Sequence, residues 1–370
     1  MNLLPTIDSK RNYGLDILRA IAILSVLFTH ATMFVPTAAR SAYQWLQLDG
    51  VAIFFVLSGF LIGGILVRTL ENNPATPRTL WRFWLMRWFR TVPPYFFILL
   101  LIMLWDGGQS LLKAIINHKR YFIFFQNFAT PHQEFFTEGW SLSVEEWFYL
   151  IVGSSSVLLA RFLKPRTALL VAAVVIIATS TGLRLYQYLH YPPADINAWG
   201  RFYRTIVVYR LDSLMYGVLG VIWSIYAPVS WLAYSRTKCL LGITLLIICI
   251  LPSKPIPGEF KIFWSVWSFS LTGLGTMLVI PFLSQIKTGK GFTYKFITYT
   301  SLFSYSMYLL NGTIIVWHII MPFAQSIGLN KQQIQVGGFI SFFVLTYVLS
   351  AIMYQTIEVG SLRLRKRIVG

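Results

Sequence analysis

Residues 13–35 of the chain read YGLDILRAIAILSVLFTHATMFV, and residues 51–62 read VAIFFVLSGFLI. The first stretch is long enough to cross a bilayer as a helix, which takes about 20 apolar residues. Comparable stretches follow along all 370 residues, and the chain is 56% hydrophobic but 12% charged, with a mean hydropathy of +0.63. A soluble domain carries about a quarter charged residues, so the composition excludes a soluble enzyme, a disordered chain and a secreted disulfide scaffold.

The sequence predicts an all-α polytopic membrane bundle of about ten transmembrane helices. It is expected to form a single membrane domain over residues 1–370, with no appended soluble domain. The loops on the same side of the membrane as the N-terminus hold nearly twice as many basic residues as the loops on the other side. This bias predicts that both termini are cytoplasmic. The same bias accounts for the net charge of +18 without nucleic acid as a partner. The predicted spans lie near residues 13–35, 47–68, 83–105, 138–160, 167–189, 203–225, 238–251, 262–285, 297–320 and 333–358.

Ionisable residues inside these spans indicate a functional cavity, because a charge that faces lipid costs several kcal/mol. Arg19 and His30 are eleven residues apart, which places them on one helix face about 16 Å apart along the axis. The fourth span places Glu145 and Glu146 roughly 10 Å below the outer interface, at the depth predicted for His30. Since a histidine beside a carboxylate can take a proton from a hydroxyl, His30, Glu145 and Glu146 are the predicted catalytic residues. Which glutamate would face His30 is open, and the structural alternative is a histidine bonded within the bundle.

The inner entrance of the third span is rich in arginine, in the stretch RFWLMRWFRTVPPY over residues 82–95. Arg87 and Arg90 stand three residues apart and therefore share a helix face. Because arginine binds phosphate through two parallel hydrogen bonds, these side chains are predicted to bind a phosphate, with help from Arg19. The alternative for any single arginine is ordinary anchoring at the cytoplasmic interface.

Several stretches together resemble the acyltransferase 3 family of integral membrane acyltransferases. The resemblance implies a ten-helix bundle in the bacterial inner membrane that moves an acyl group, usually acetyl, from acyl-CoA to a glycan hydroxyl. Members of that family modify lipopolysaccharide O-antigen, capsule and exopolysaccharide. The matching stretches occur in the family's order between residues 13 and 311: YGLDILRAIAILSVLFTHA, FFVLSGFLI, RWFRTVPPY, GWSLSVEEWFYL, YRLDSLMYG and SYSMYLLN.

By position, Arg19 and His30 match the family's arginine and histidine with ten residues between them, and Glu145 matches the first acid of its S-L-S-V-E-E segment. The chain departs from the family pattern at Trp147, where glutamine is usual, and at Asn311, where histidine is usual. Asparagine is no base near neutral pH, so Asn311 is expected to hydrogen-bond a sugar. The predicted donor-binding residues are Arg19, Ser58 of the S-G-F motif, and Arg87 and Arg90 of the R-x-x-R motif. The predicted acceptor-binding residues lie near the outer side of the membrane: Trp140, Arg210, Asp212 and Asn311.

The predicted function is therefore membrane O-acyl transfer, with acetyl-CoA as donor, no metal, membrane lipids around the bundle and a surface glycan, O-antigen above all, as acceptor. The donor is expected to reach from the inner arginines towards His30. Direct transfer and a path through an acyl-enzyme are both compatible with these residues. The alternative function is a transporter or flippase of a lipid-linked glycan, which would also hold charges near the midplane.

Overall fold

The structure is a computed structural model, and it describes residues 5, 11–105, 110–131, 135–250 and 261–368. Ten principal helices form the bundle within this part of the chain. A π-helical turn, Phe263–Trp267, precedes α8, and a longer π-helix, Asn311–Ile320, continues α9. The ten helices are α1 (Tyr13–Ala31), α2 (Gly50–Asn72), α3 (Pro77–Trp105), α4 (Gly139–Leu159), α5 (Pro165–His190), α6 (Leu211–Tyr226), α7 (Ser235–Ile248), α8 (Ser268–Leu283), α9 (Gly291–Leu310) and α10 (Lys331–Met353).

The predicted all-α polytopic architecture is confirmed, and the described residues contain no strand. Eight helical stretches of the described chain are long and apolar enough to cross a membrane. The sixth and seventh predicted spans correspond to the shorter helices α6, of 16 residues, and α7, of 14 residues. The end predicted for the seventh span, at residue 251, lies outside the described residues. The count of about ten spans and the cytoplasmic termini stay predictions.

Short helices connect the principal ones and close the ends of the bundle. A C-terminal α-helix is joined to α10 by a π-helical turn, Tyr354–Glu358. The short helices are Thr32–Phe34, Thr37–Ala39, Arg40–Tyr43, Gln44–Leu46, Leu111–Asn117, Lys119–Ile123, Ile196–Trp199, Gly200–Arg204, Val207–Tyr209, Pro228–Leu232, Met321–Ser326 and Val359–Ile368.

Helices α2 and α6 pack backbone to backbone at the centre of the bundle. A Cβ atom at Gly59 would stand 1.9 Å from the carbonyl oxygen of Leu214, and one at Gly217 would stand 2.0 Å from that of Val56. No side chain fits at either distance, so glycine is required for this approach. Close packing through small residues is how membrane helices associate without a hydrophobic driving force between them.

The segment before α4 makes hydrogen bonds to the start of that helix and to the connection between α5 and α6. The side-chain amide of Asn127 donates to the carbonyl oxygens of Trp140 at 3.0 Å and Thr205 at 2.6 Å. The amide of Gln126 donates to the Gly139 carbonyl at 3.2 Å and to the Ser143 hydroxyl at 2.6 Å. These bonds fix the start of α4 against the connection between α5 and α6, where a large cavity opens.

Candidate active site

A cavity of about 670 Å³ lies where α1 ends and α4 begins. The predicted orientation places it on the outer side, and it is called the outer cavity below. His30 and Trp140 line it, as the sequence predicted for an acceptor site. The remaining lining comes mainly from helix ends and from the connection between α5 and α6: Val26, Thr29, Leu48, Gly50, Val51, Thr137, Glu138, Asp195, Ile196, Asn197, Ala198, Gly200, Arg201, Phe202, Arg204, Thr205 and Tyr308.

The imidazole of His30 is oriented by Asn311, which lies at the start of the π-helix. Nδ1 of His30 is hydrogen-bonded to Oδ1 of Asn311. The Asn311 amide nitrogen donates to the carbonyl oxygens of Met307 at 2.9 Å and Tyr308 at 2.8 Å, which fixes the amide with Oδ1 towards the ring. An amide oxygen is an acceptor, so Nδ1 of His30 carries the proton and Nε2 is left as the basic nitrogen.

This pairing differs from the expectation that a glutamate would orient His30 and that Asn311 would meet the sugar. Asn311 is fully buried behind the histidine and does not line the outer cavity. The physical reason is that the carbonyl oxygens of Met307 and Tyr308 hold the amide nitrogen of Asn311, which turns its oxygen towards the His30 ring. Asparagine serves here as the acceptor that sets the tautomer, a role in which a base is not needed.

Glu138 is a carboxylate close to this pair, and the sequence reasoning missed it. A Cβ atom at Gly312 would stand 1.9 Å from Oε1 of Glu138 and 3.4 Å from Nδ1 of His30, so both atoms face the same spot. Oε1 accepts from the Thr313 amide at 2.7 Å, and Oε2 accepts from the Thr313 hydroxyl at 2.6 Å. The signal that could have found Glu138 is an acid at the entry of the fourth predicted span.

A second cavity, of about 120 Å³, lies deeper in the bundle towards the predicted cytoplasmic side. It is called the inner cavity below. It unites Arg19 of α1 with Arg87 and Arg90 of α3, as the sequence predicted, and Ser58 of α2 lies in its wall. Arg87 is 9% exposed, and its Nε has no hydrogen-bond partner in the described structure. The three arginines therefore lie in one cavity, and their binding of a phosphate stays a prediction.

Glu145 belongs to the inner cavity, apart from the His30–Asn311 pair. Its Oε1 accepts from the Ser58 hydroxyl at 2.7 Å, and its Oε2 accepts from the Tyr149 hydroxyl at 3.3 Å. Ser58, which is predicted to bind the donor, thus also donates a hydrogen bond to a carboxylate. The depth estimate failed to separate the two levels because His30 lies at the last turn of α1, above the point that α4 reaches at Glu145.

Glu146 faces away from both cavities. It is 2% exposed, and its Oε1 accepts from the Thr91 hydroxyl of α3 at 2.6 Å. It lines a third cavity, of about 300 Å³, together with aromatic side chains that include Trp88 and Phe124. Consecutive residues of a helix point in directions 100° apart, so the opposite placements of Glu145 and Glu146 follow from helical geometry.

Arg210 and Asp212, predicted to bind the acceptor, line neither the outer nor the inner cavity. Asp212 pairs with Arg184 of α5 at 2.8 Å, and both side chains are 0% exposed. Nη2 of Arg210 lies 3.5 Å from Asp49 Oδ2, and its guanidinium stands 4.3 Å from the centre of the Phe269 ring. Asp212 is thus paired inside the bundle, whereas none of the three guanidinium nitrogens of Arg210 has a hydrogen-bond partner within the described structure.

Asp49 also holds a cavity residue that the sequence reasoning missed. Its Oδ1 accepts from the Ala52 amide at 3.2 Å, which caps α2, and lies 3.3 Å from Nη2 of Arg204. The Arg204 guanidinium in turn stands 5.3 Å from the centre of the Trp140 ring in the outer cavity. An aspartate directly before a glycine and an apolar run is a helix start signal that could have identified the cap.

The two cavities share a wall. Val51 and Tyr308 line both of them. The inner arginines and His30 thus lie in two cavities that these two side chains border. Within the described chain, no three His, Cys, Asp or Glu side chains are grouped as a metal site requires.

Comparison with known proteins assigns the chain to a family. A family model described as an acyltransferase domain, acyltransferase 3, matches residues 12–355. The peptidoglycan O-acetyltransferase of Listeria monocytogenes is 23% identical over an alignment that covers 89% of this chain and 57% of that protein. An O-acetyltransferase of Staphylococcus aureus is 27% identical over 58% of this chain and 35% of its own length. The chain therefore spans 57% or less of the length of these relatives, and no solved structure matches it significantly. The match over residues 12–355, in the order that the sequence motifs predicted, shows that this chain belongs to the acyltransferase 3 family.

Proposed function

We propose that the protein is an O-acetyltransferase of the bacterial inner membrane that moves acetyl from acetyl-CoA to a hydroxyl of a cell-envelope glycan. The observation that carries the proposal is the orientation of His30 by Asn311 at the wall of the outer cavity. A histidine whose Nδ1 carries the proton offers Nε2 as a general base. Family membership and the O-acetyltransferase names of the relatives support the same reaction class.

In the proposed reaction, Nε2 of His30 takes the proton of an acceptor hydroxyl in the outer cavity. The hydroxyl oxygen attacks the thioester carbonyl carbon, a new C–O bond forms and the C–S bond breaks. The thiolate of CoA leaves and takes the proton back from His30, so the histidine returns to its starting state. Asn311 keeps the ring in the required tautomer, and Glu138 places a negative charge near the imidazolium that forms in between.

The arginines of the inner cavity are proposed to bind a phosphate of the donor. Arg19, Arg87 and Arg90 bring three positive charges to one small space, and phosphate is the anion that guanidinium groups bind with two parallel hydrogen bonds. The roughly 16 Å rise along α1 between Arg19 and His30 is a distance that the extended pantetheine arm of CoA can span. The donor would then enter from the cytoplasm and the acceptor from the outside.

For the acceptor, we propose the general class of cell-envelope glycans. O-antigen, favoured from the sequence, has no support in the relatives' names, and peptidoglycan is the acceptor that the Listeria relative's name states. The polar side chains of the outer cavity, such as Asn197, Asp195 and Arg204, suit sugar hydroxyls in general. Both glycans therefore belong in the test.

The experiment is transfer of label from acetyl-CoA by the purified full chain in lipid nanodiscs. The acceptors are peptidoglycan fragments and O-antigen polysaccharide, each assayed separately. Wild-type protein is expected to release CoA thiol and to place label on one of these glycans. His30→Ala is expected to lower the transfer rate by about 10³-fold, the typical effect of losing a general base.

The matched control is Ser350→Ala, since Ser350 is a fully buried polar side chain that lines neither the outer nor the inner cavity. It should keep the wild-type rate. Wild-type transfer by His30→Ala at equal protein level would remove the base assignment. Movement of a lipid-linked glycan across the bilayer without thiol release would favour the transporter alternative.

A further inference from the structure

The wall between the two cavities is narrow and made of few side chains. Val51 of α2 and Tyr308 of α9 line both cavities, and they are 5% and 8% exposed. Phe55 on the inner side meets Trp140 on the outer side edge to face, with ring centres 6.0 Å apart. Any group that passes from the inner cavity to His30 must pass these side chains.

Tyr308 is held in place from both sides. Its hydroxyl accepts a hydrogen bond from Ser141 at 2.7 Å, and it donates to the carbonyl oxygen of Glu138 at 3.2 Å. Ser141 lines the inner cavity and Glu138 the outer one, so the hydroxyl bridges the two sides of the wall. With the Tyr308 hydroxyl held in this way, Val51 is the aliphatic side chain that borders both cavities.

We infer that Val51, which lines both cavities as Tyr308 does, limits the length of the acyl group that the protein transfers. The inference rests on the proposed function. The inner cavity, at about 120 Å³, leaves little room for a longer chain on its side of the wall. Val51 has no hydrogen-bonding group, so its effect is steric, and each added methylene of the acyl chain must find space next to its two methyl groups.

The test is a competition between acetyl-CoA and propionyl-CoA with the purified full chain and the glycan acceptor that the wild type uses. Val51→Ala removes two methyl groups from the wall and is expected to raise the propionyl-to-acetyl ratio by about tenfold, the discrimination typical of one methylene in an apolar pocket. Val51→Ile adds a methyl group and is expected to lower the same ratio. Tyr308→Phe keeps the size of the ring and is expected to change the ratio less than either Val51 variant.

Val56→Ala is the matched control, because Val56 is a fully buried valine of the same helix that lines neither cavity. Its propionyl-to-acetyl ratio should equal that of the wild type. An unchanged ratio in both Val51→Ala and Val51→Ile, with acetyl transfer retained, would overturn the selector role and leave O-acetyl transfer standing. Absence of any acyl transfer by the wild type would overturn the proposed function and this inference together. If Val51→Ala does not fold, the Val51→Ile result decides.

Discussion

The inner and outer cavities are built in different ways. Charged groups of the inner cavity stand on the faces of long helices: Arg19 on α1, Arg87 and Arg90 on α3, and Glu145 on α4. The outer cavity has a much larger volume and takes much of its wall from helix ends and from the short helices between α5 and α6. Helical periodicity therefore fixes the proposed donor side, whereas connecting segments shape the proposed acceptor side.

This difference suits the two proposed tasks, which are binding of the donor in one cavity and of the acceptor in the other. A donor common to many enzymes can be held by regularly spaced arginines on rigid helices, since positions on rigid elements are held more accurately than positions on loops. An acceptor that differs between members of a family is better met by connections, which tolerate changes in sequence and length. Val51 and Tyr308 lie where the helix faces of the inner cavity adjoin the connecting segments of the outer cavity.

The largest expected effect that tests this division lies at the outer side. Asn311→Ala removes the acceptor for Nδ1 of His30, so the ring loses its fixed tautomer, and kcat should fall by about 10²- to 10³-fold. The KM for acetyl-CoA should stay within about twofold, because the inner cavity is unaltered. Steady-state kinetics in nanodiscs measure both values. A large rise in KM with normal kcat would contradict the separation of the two cavities.

At the inner side, Arg87→Ala should raise the KM for acetyl-CoA by about 10- to 100-fold, the loss expected for a charged hydrogen bond to phosphate. The change in kcat should be smaller. Arg78→Ala is the matched control, since Arg78 lies on the same helix and lines a different cavity. An equal rise in KM in both variants would mean that general surface charge, rather than the inner cavity, attracts the donor.

The smallest expected effects separate the two adjacent glutamates. Glu145→Gln weakens the charged hydrogen bonds from Ser58 and Tyr149 within the inner cavity, and acetyl transfer should fall by about tenfold. Glu146→Gln keeps an acceptor for Thr91 and lies outside both cavities, so transfer should change by less than about threefold. Rate measurements at matched expression decide the order. A fall in the transfer rate of Glu146→Gln as large as that of His30→Ala would indicate that Glu146 takes part in the proton transfer.

Sequence patterns predicted the residues of the inner cavity well, because their reasoning needed only spacing along single helices. Arg19, Ser58, Arg87 and Arg90, all predicted to bind the donor, meet in one cavity. The prediction was weaker where two helices had to be compared in depth. One turn of a helix is about 5.4 Å, so a small error in the boundaries was enough to place Glu145 beside His30.

By itself, the sequence determined that this chain is a helical membrane protein, which charges are grouped on its helix faces, and which family it resembles. A run of about 20 apolar residues and a repeat of 3.6 residues per turn are local properties, so they can be recognised in the sequence before the tertiary structure is known. Tertiary structure alone decided that Asn311 orients His30, that Glu138 stands beside them, and that Asp212 pairs with Arg184. Those contacts join residues far apart along the chain, at helix ends and in a π-helix, where the position of a side chain is set by packing and not by the repeat.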